Sequence, residues 1–154
     1  MDEALKLAEE AAQAGEVPVG CVITRGSEIV GRGRNRREEG KSALAHAEIE
    51  AIDDACRRLG GWRLWECTLY VTLEPCPMCA GAIINARIPR VVYGASDTKA
   101  GSCGSVCDLL SMDYNHHPAV ERGLMEEECA EVLRDFFRQL RLTLPKRKKW
   151  RRPE

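Results

Sequence analysis

The residues of this chain best suited to chemistry form two short motifs, His46-Ala47-Glu48 and Pro75-Cys76-Pro77-Met78-Cys79. One histidine and two cysteines make three zinc ligands, and a catalytic zinc keeps three protein ligands and leaves its fourth position to water. Glu48 is then a carboxylate beside the metal that need not bind it. This composition predicts a hydrolytic site that holds one Zn²⁺ per subunit through His46, Cys76 and Cys79.

The cysteine pattern leaves other uses open. A lone Cys-x-x-Cys pair is ambiguous between zinc binding and redox chemistry, and His46 upstream favours zinc. A further thiol, from Cys103 or Cys107, would complete four protein ligands and give a structural zinc in a non-catalytic RNA-binding module. We expect neither of these two cysteines to bind metal, because no histidine or further cysteine pair stands near them in the sequence.

Both motifs are predicted to lie at helix starts. Pro77 suits the first position of a helix, so Cys76 is the predicted N-cap and Cys79 lies in the first turn. Residues two apart on a helix point about 200° apart. His46 and Glu48 can therefore face one metal only if His46 lies at a helix boundary. Two helix N-termini then meet at the metal, and both favour bound negative charge.

Alternating strand and helix patterns predict an α/β domain at 1–145, followed by a basic tail at 146–154. The 77–87 segment is apolar nearly all round, so we expect that helix to be buried. The fold class is predicted as a three-layer α/β/α domain around a five-stranded mixed sheet. The predicted helices are 2–14 with Asp2 as N-cap, 46–59, 77–87 and 125–142; the strands are 19–25, 28–34, 67–73, 90–94 and 119–122; a short helical turn is predicted at 105–110.

Composition narrows the class of protein. The chain has 154 residues, a net charge of −1 and eight cysteines. No apolar run reaches the roughly 18 residues that a membrane span needs. The acidic N-terminus does not resemble a signal peptide, so a cytoplasmic protein is predicted. Most cysteines lie inside apolar runs, and we expect them to be buried thiols rather than disulfides.

The charge distribution favours nucleic acid despite the near-neutral total. Residues 146–154 carry six Lys/Arg and one Glu, and four arginines within 32–37 surround Asn35. Such patches can contact a phosphate backbone. The alternative for the tail is a solvated chain end. Phe136 and Phe137 are expected in core or dimer packing rather than in stacking on bases.

The motifs resemble those of the bacterial tRNA-specific adenosine deaminases, a branch of the cytidine/deoxycytidylate deaminase superfamily. H-x-E followed by P-C-x-x-C is typical of zinc nucleobase deaminases in general. The resemblance covers about 16–141, and the segments Gly94-Ala95-Ser96-Asp97-Thr98-Lys99 and Phe136-Phe137-Arg138 favour the tRNA branch. It implies a cytidine deaminase-like fold, a homodimer, and conversion of the wobble adenosine in the anticodon stem-loop of an arginine tRNA to inosine.

The resemblance also implies residue roles. Zinc would lower the pKa of its bound water towards about 7. Glu48 would take the water proton, the hydroxide would attack the amino-bearing carbon, and Glu48 would pass protons to the ring nitrogen and the departing ammonia. The implied substrate-binding residues are Asn35, which would hydrogen-bond the flipped adenine, Pro18, Val19 and Ala47 around the base, and Asp97 and Lys99 at the neighbouring nucleotides.

One competing enzyme function shares the zinc motif. A deaminase of free bases or nucleotides, such as guanine or cytosine, would need the same metal ligands and the same carboxylate. It would have no use for the basic patches.

Overall fold

The structure is a computed structural model that describes residues 1–144. The end of the predicted domain at 145 and the predicted tail at 146–154 lie outside the described residues. Helices and strands alternate as predicted, and a 3₁₀ turn at Leu109–Ser111 precedes the last strand. In chain order the elements are α1 (Asp2–Gln13), β1 (Gly20–Arg25), β2 (Glu28–Arg34), α2 (Ala47–Leu59), β3 (Cys67–Leu73), α3 (Pro77–Asn85), β4 (Arg90–Ala95), β5 (Ala119–Arg122) and α4 (Glu126–Thr143).

The five strands form one mixed sheet in the order β2-β1-β3-β4-β5. β1 is antiparallel to β2 and β3, whereas β3, β4 and β5 run parallel. α1 and α4 contact each other, and α2 contacts α3, so the two helix pairs cover opposite faces of the sheet. This three-layer α/β/α arrangement confirms the predicted fold class. The main core includes the fully buried residues Ile23, Leu69, Val71, Ile83 and Val91.

Glycines in the strands let two helices lie directly on the sheet. A Cβ at Gly20 would stand 1.9 Å from the Ala4 carbonyl oxygen of α1, and one at Gly33 would stand 2.2 Å from the Ala47 carbonyl oxygen of α2. Distances this short leave no room for a side chain. Because Ala47 follows His46, the backbone of β2 at Gly33 sets where the first motif sits.

Several helix ends differ by one or two residues from their predicted positions, and the start of α1 and the end of α3 show why. α1 begins at Asp2, not after it, because the Met1 carbonyl accepts the Leu5 N–H and closes the first turn with Met1 as N-cap. α3 ends at Asn85, short of the predicted end at residue 87. Arg87 adopts a left-handed φ of 60°, and the Ile88 N–H donates back to Ile83, a pattern that ends helices.

α3 is buried as expected, with Cys79, Ala80, Ile83 and Ile84 buried and only its end residues Pro77 and Asn85 exposed. One further prediction about local structure is wrong. The helical turn expected at 105–110 lies instead at Leu109–Ser111. Its predicted start is not helical because the Ser105 N–H donates to the side chain of Glu74.

Candidate active site

The side chains of His46, Cys76 and Cys79 meet where α2 and α3 begin. Nδ1 of His46 lies 3.6 Å from Sγ of Cys76 and 3.6 Å from Sγ of Cys79. A tetrahedral zinc with Zn–S bonds of about 2.3 Å and Zn–N bonds of about 2.0–2.1 Å has N···S edges of about 3.6 Å. The three residues therefore have the spacing that a zinc ion requires.

Helix capping explains how the two motifs converge. His46 is the N-cap of α2 and Cys76 the N-cap of α3, and both have extended backbone with ψ of 151° and 174°. Since His46 precedes the helical geometry, it is not bound by the divergence of residues two apart on a helix. Glu48, in the first turn, lines the same cavity as His46 and Cys76. The predicted meeting of two helix N-termini at this group is confirmed.

The two sulfurs of this group compete for one proton. A hydrogen bond from Cys79 lowers the pKa of Cys76 to about 4, and the same bond together with burial raises the pKa of Cys79. The first thiolate therefore opposes ionisation of the second. A cation that binds both sulfurs takes the place of the shared proton, which is what a divalent metal does at a pair of cysteines.

Glu48 lies beside the ligands and is only 4% exposed. Burial raises the pKa of its carboxyl to about 7. A carboxyl that titrates near neutral pH can both accept a proton and return it, which is the requirement for a general base that later acts as a general acid. Because its surroundings are largely dry, the group exchanges protons mainly with what occupies the cavity.

A cavity of about 200 Å³ opens over this group. Drug-sized ligands occupy cavities of about 300–1,000 Å³, so this one suits a single base. Four of the predicted substrate-binding residues line it, namely Val19, Asn35, Ala47 and Asp97, the last of which was expected at the neighbouring nucleotides. Pro18 is buried but does not line the cavity. Lys99 lines an adjoining groove instead.

Sequence reasoning missed part of the cavity lining. Arg37 could have been found from its place in the basic cluster, and Leu73 and Glu74 from their position directly before the second motif. Val17 and Ala100 carried no chemical signal in the sequence. They line the cavity because the chain folds them there.

Asn35 is held in place by the backbone around it. Its Nδ2 donates to the Val17 carbonyl at 3.1 Å, and its Oδ1 accepts the Arg37 N–H at 3.2 Å. An amide nitrogen carries two hydrogens, so one remains for an acceptor in the cavity. The loop after Asn35 is fixed in the same way, since buried Glu16 accepts the N–H groups of Glu38 and Glu39.

A basic groove runs from this cavity to α4. Leu73 and Asp97 line both the cavity and the groove, which continues past Lys99 to α4. Phe137 is 39% exposed in the groove, so it is not part of the core, and its predicted alternative of dimer packing stays a prediction. The α4 side of the groove is formed by Leu133, Arg134, Phe137, Arg138 and Arg141.

The remaining cysteines are not part of the metal group. Within residues 1–144, His46, Cys76 and Cys79 form the one cluster of three or more His, Cys, Asp or Glu side chains close enough to share a metal ion. Cys103 is buried and Cys107 is exposed, and neither belongs to that cluster. All eight cysteines are free thiols, as expected.

Comparison with known proteins agrees with this geometry. The family described as MafB19-like deaminase matches residues 1–141. A tRNA-specific adenosine deaminase of Streptococcus pyogenes is 51% identical over 140 residues, which are 90% of this chain and 88% of that protein. This chain belongs to the tRNA-specific adenosine deaminase family. The resemblance identified from the motifs is thus confirmed, and the chain is an enzyme of the deaminase class.

Solved structures of deaminases share the fold. One from a study of A-to-I editing by tRNA:A34 deaminases at the wobble position of transfer RNA has 46% identity and a TM-score of 0.83, over 86% of this chain and 97% of that one. A guanine deaminase from Bacillus subtilis has 32% identity and a TM-score of 0.61, over 97% of this chain and 96% of that one. Deaminases named for different bases thus share this fold. None of the helices within residues 1–144 has the length and apolar character to cross a membrane.

Proposed function

We propose that this tRNA-specific adenosine deaminase family member converts adenosine to inosine at the wobble position of a tRNA anticodon, that of an arginine tRNA, in a zinc-dependent hydrolysis. The observation that carries the proposal is the group at the helix starts. Three ligand atoms have the spacing of a zinc tetrahedron, and a buried carboxyl with a pKa near neutrality shares their cavity. That combination is suited to activating water.

Different residues of the chain bind the metal, transfer protons and orient the base. His46, Cys76 and Cys79 hold the zinc, which when bound lowers the pKa of water at its open position. Glu48 would accept a proton from the attacking water and deliver it to the ring nitrogen next to the amino-bearing carbon, while the water oxygen bonds to that carbon. Glu48 would then pass the second water proton to the amino group, so that the C–N bond breaks and adenosine and water give inosine and ammonia. Asn35 orients the base through its remaining amide hydrogen.

The groove beside the cavity supports an RNA substrate over a free base. A base that is part of a chain brings phosphates with it, and Lys99, Arg134 and Arg138 line the path away from the cavity. An exposed aromatic residue, Phe137, stands among these charges, which is typical of surfaces that bind single-stranded nucleic acid. A deaminase of free guanine has no use for such a groove.

The decisive experiment uses an anticodon stem-loop that carries a wobble adenosine. We expect inosine to form in the presence of zinc, and no deamination of free guanine or cytosine. Turnover of a free base with none of the stem-loop would reverse the assignment.

The variant Glu48→Gln should retain bound zinc and lose at least about a hundredfold in kcat, because the proton shuttle is removed while all three ligands stay. Loss of zinc from that variant would show that Glu48 serves the metal site rather than the reaction.

Three further proposals concern the oligomeric state, the basic tail and the cellular compartment. The chain acts as a homodimer, and exposed apolar side chains such as Leu44, Val106 and Met112 offer surface for a second copy. The basic tail at 146–154 adds contacts to tRNA phosphates. A tRNA substrate implies that the enzyme works in the cytoplasm. Light scattering tests the dimer, since a monomeric mass at micromolar concentration would contradict it.

A further inference from the structure

Glu74 is a buried acid with no part in the reaction steps above. It follows the last residue of β3 and directly precedes Pro75 and the metal ligand Cys76. Its side chain is 2% exposed, and no ion pair joins it to a cationic side chain within residues 1–144. A buried carboxylate is costly unless its oxygens accept hydrogen bonds, so its partners show what it does.

The partners of Glu74 are backbone N–H groups of one loop. Oε2 accepts the Asp97 N–H at 2.9 Å, and Oε1 accepts those of Cys103 at 3.3 Å and Ser105 at 3.0 Å. Hydrogen bonds to an ionised acceptor are stronger than those between neutral groups. One side chain thus fastens both ends of the loop at 97–105.

The loop has been shaped around this carboxylate. A Cβ at Gly101 would stand 2.0 Å from Oε2 of Glu74, so only glycine fits. The Ser102 N–H donates to the Pro75 carbonyl at 2.8 Å, next to the carboxylate in the chain. The loop is therefore closely fitted to the segment that carries Cys76.

Asp97 links Glu74 to the outer part of the loop by hydrogen bonds. Its own N–H is bound to Glu74, and its Oδ1 accepts the N–H groups of Lys99 at 2.9 Å and Ala100 at 3.2 Å. Lys99 has its backbone fixed by this turn, and it lines the basic groove. The position of a cationic side chain in the groove thus depends on a carboxylate beside the metal site.

We propose that Glu74 is a positioning residue for substrate recognition, which holds the Asp97–Lys99 turn where it meets the RNA on either side of the target base. This inference rests on the proposed function. It assigns to Glu74 an effect on RNA binding and none on proton transfer, because Glu74 lines the base cavity with both of its oxygens already accepting N–H groups of the loop.

The variant Glu74→Gln tests the proposal with little change of shape. A glutamine keeps one acceptor oxygen, which can retain the two N–H groups of Cys103 and Ser105. Its NH₂ group then faces the Asp97 N–H, and because both groups are donors, the hydrogen bond that holds the Asp97–Lys99 turn is lost. We expect KM for the stem-loop to rise about tenfold, as for loss of a charge-assisted hydrogen bond, while kcat changes less than about threefold. Bound zinc should remain at one per chain.

Two further variants test whether the rise in KM comes from the contacts between Glu74 and the loop. Gly101→Ala displaces the same loop from the other side without altering any charge, so it should raise KM in the same way. Glu121→Gln makes the same chemical change on the edge strand β5, where the carboxylate pairs with Arg90 in solvent, and it should leave KM unchanged. A fall in kcat with unchanged KM for Glu74→Gln would place the residue in the chemistry and overturn the proposal, as would no change in either constant.

Amide hydrogen exchange of the wild-type protein tests the same contacts without a mutation. The N–H groups of Asp97, Cys103 and Ser105 should be protected, although they lie in a loop. Exchange as fast as in an exposed loop would refute the role of Glu74 even if a variant failed to fold. If the wild-type enzyme did not deaminate the stem-loop, the proposed function would fail. The protection of these three amides would still show whether Glu74 fixes the loop.

Discussion

Removal of the Arg37 side chain should weaken RNA binding in a way that salt reveals. Arg37 lines the base cavity, whereas its neighbours are engaged elsewhere: Arg34 pairs with Glu39 at 3.0 Å and Arg36 with Glu50 at 3.3 Å. Within residues 1–144 no carboxylate lies within ion-pair distance of Arg37. Its guanidinium is therefore the one in this cluster best placed to contact a phosphate of the target nucleotide.

The size of the effect follows from counting phosphate contacts. Each contact to a single strand changes the slope of log K against log salt by about 0.7. When the salt concentration is raised from about 50 mM to about 200 mM, both proteins lose affinity for the RNA. The factor by which Arg37→Ala loses affinity should be about 2.6 times smaller than the factor for the wild type. An exposed contact of this kind is worth about fivefold in affinity at low salt.

Fluorescence anisotropy with a labelled anticodon stem-loop measures both quantities in one titration series. Arg36→Ala is the matched control, because that side chain has the same charge, lies next in the chain, and is already paired with Glu50. It should change the slope less than Arg37→Ala does. Equal slopes for the two variants, or no change for Arg37→Ala, would refute the reasoning that cavity lining and the absence of a paired acid select the phosphate-binding arginine.

Three other perturbations have defined outcomes. Cys79→Ala should lose bound zinc, because two ligands hold the metal poorly, whereas Cys107→Ser should keep it; elemental analysis of the purified variants measures both. Gly33→Ala should lower the free energy of unfolding by about 1–3 kcal/mol in urea, because the new Cβ stands 2.2 Å from the Ala47 carbonyl oxygen. Deletion of 146–154 should weaken stem-loop binding and make it less dependent on salt.

Each of these has a result that would contradict it. Zinc retained by Cys79→Ala at one per chain would mean that another group completes the site. Gly61 has open space where a Cβ would be built, so Gly61→Ala serves as control for Gly33→Ala, and equal losses would disprove the close-contact argument. An unchanged salt slope after the deletion would mean that the tail is only a solvated end.

The sequence was sufficient to predict the fold and the metal group, because both depend on local patterns. Strand and helix periodicity and the proline after Cys76 set the elements, and the divergence of residues two apart on a helix required His46 to be a cap. The cavity wall was harder to predict. Val17 and Ala100 are small apolar residues whose role comes from tertiary placement alone.

The interpretation of Phe137 shows another limit of sequence reasoning. Two adjacent aromatic residues on an amphipathic helix indicate packing, but adjacent positions point in different directions, and the structure leaves Phe137 partly exposed in the groove. The short turn near residue 105 was misplaced for a different reason. The N–H of its predicted first residue, Ser105, is bound by Glu74, and local propensity carries no information about so distant a partner.

The two helix caps have a consequence for how this scaffold can change its substrate. The metal group needs only residues at the starts of α2 and α3, and its spacing is set by backbone on the sheet. The loops that surround the base each adjoin a metal ligand. The loop after Asn35, which Glu16 anchors, leads into His46, and Glu74, which anchors the loop around Asp97, stands two residues before Cys76. Recognition and reaction thus share backbone, and a loop exchanged for that of a guanine deaminase must keep these anchors if the metal ligands are to stay in place.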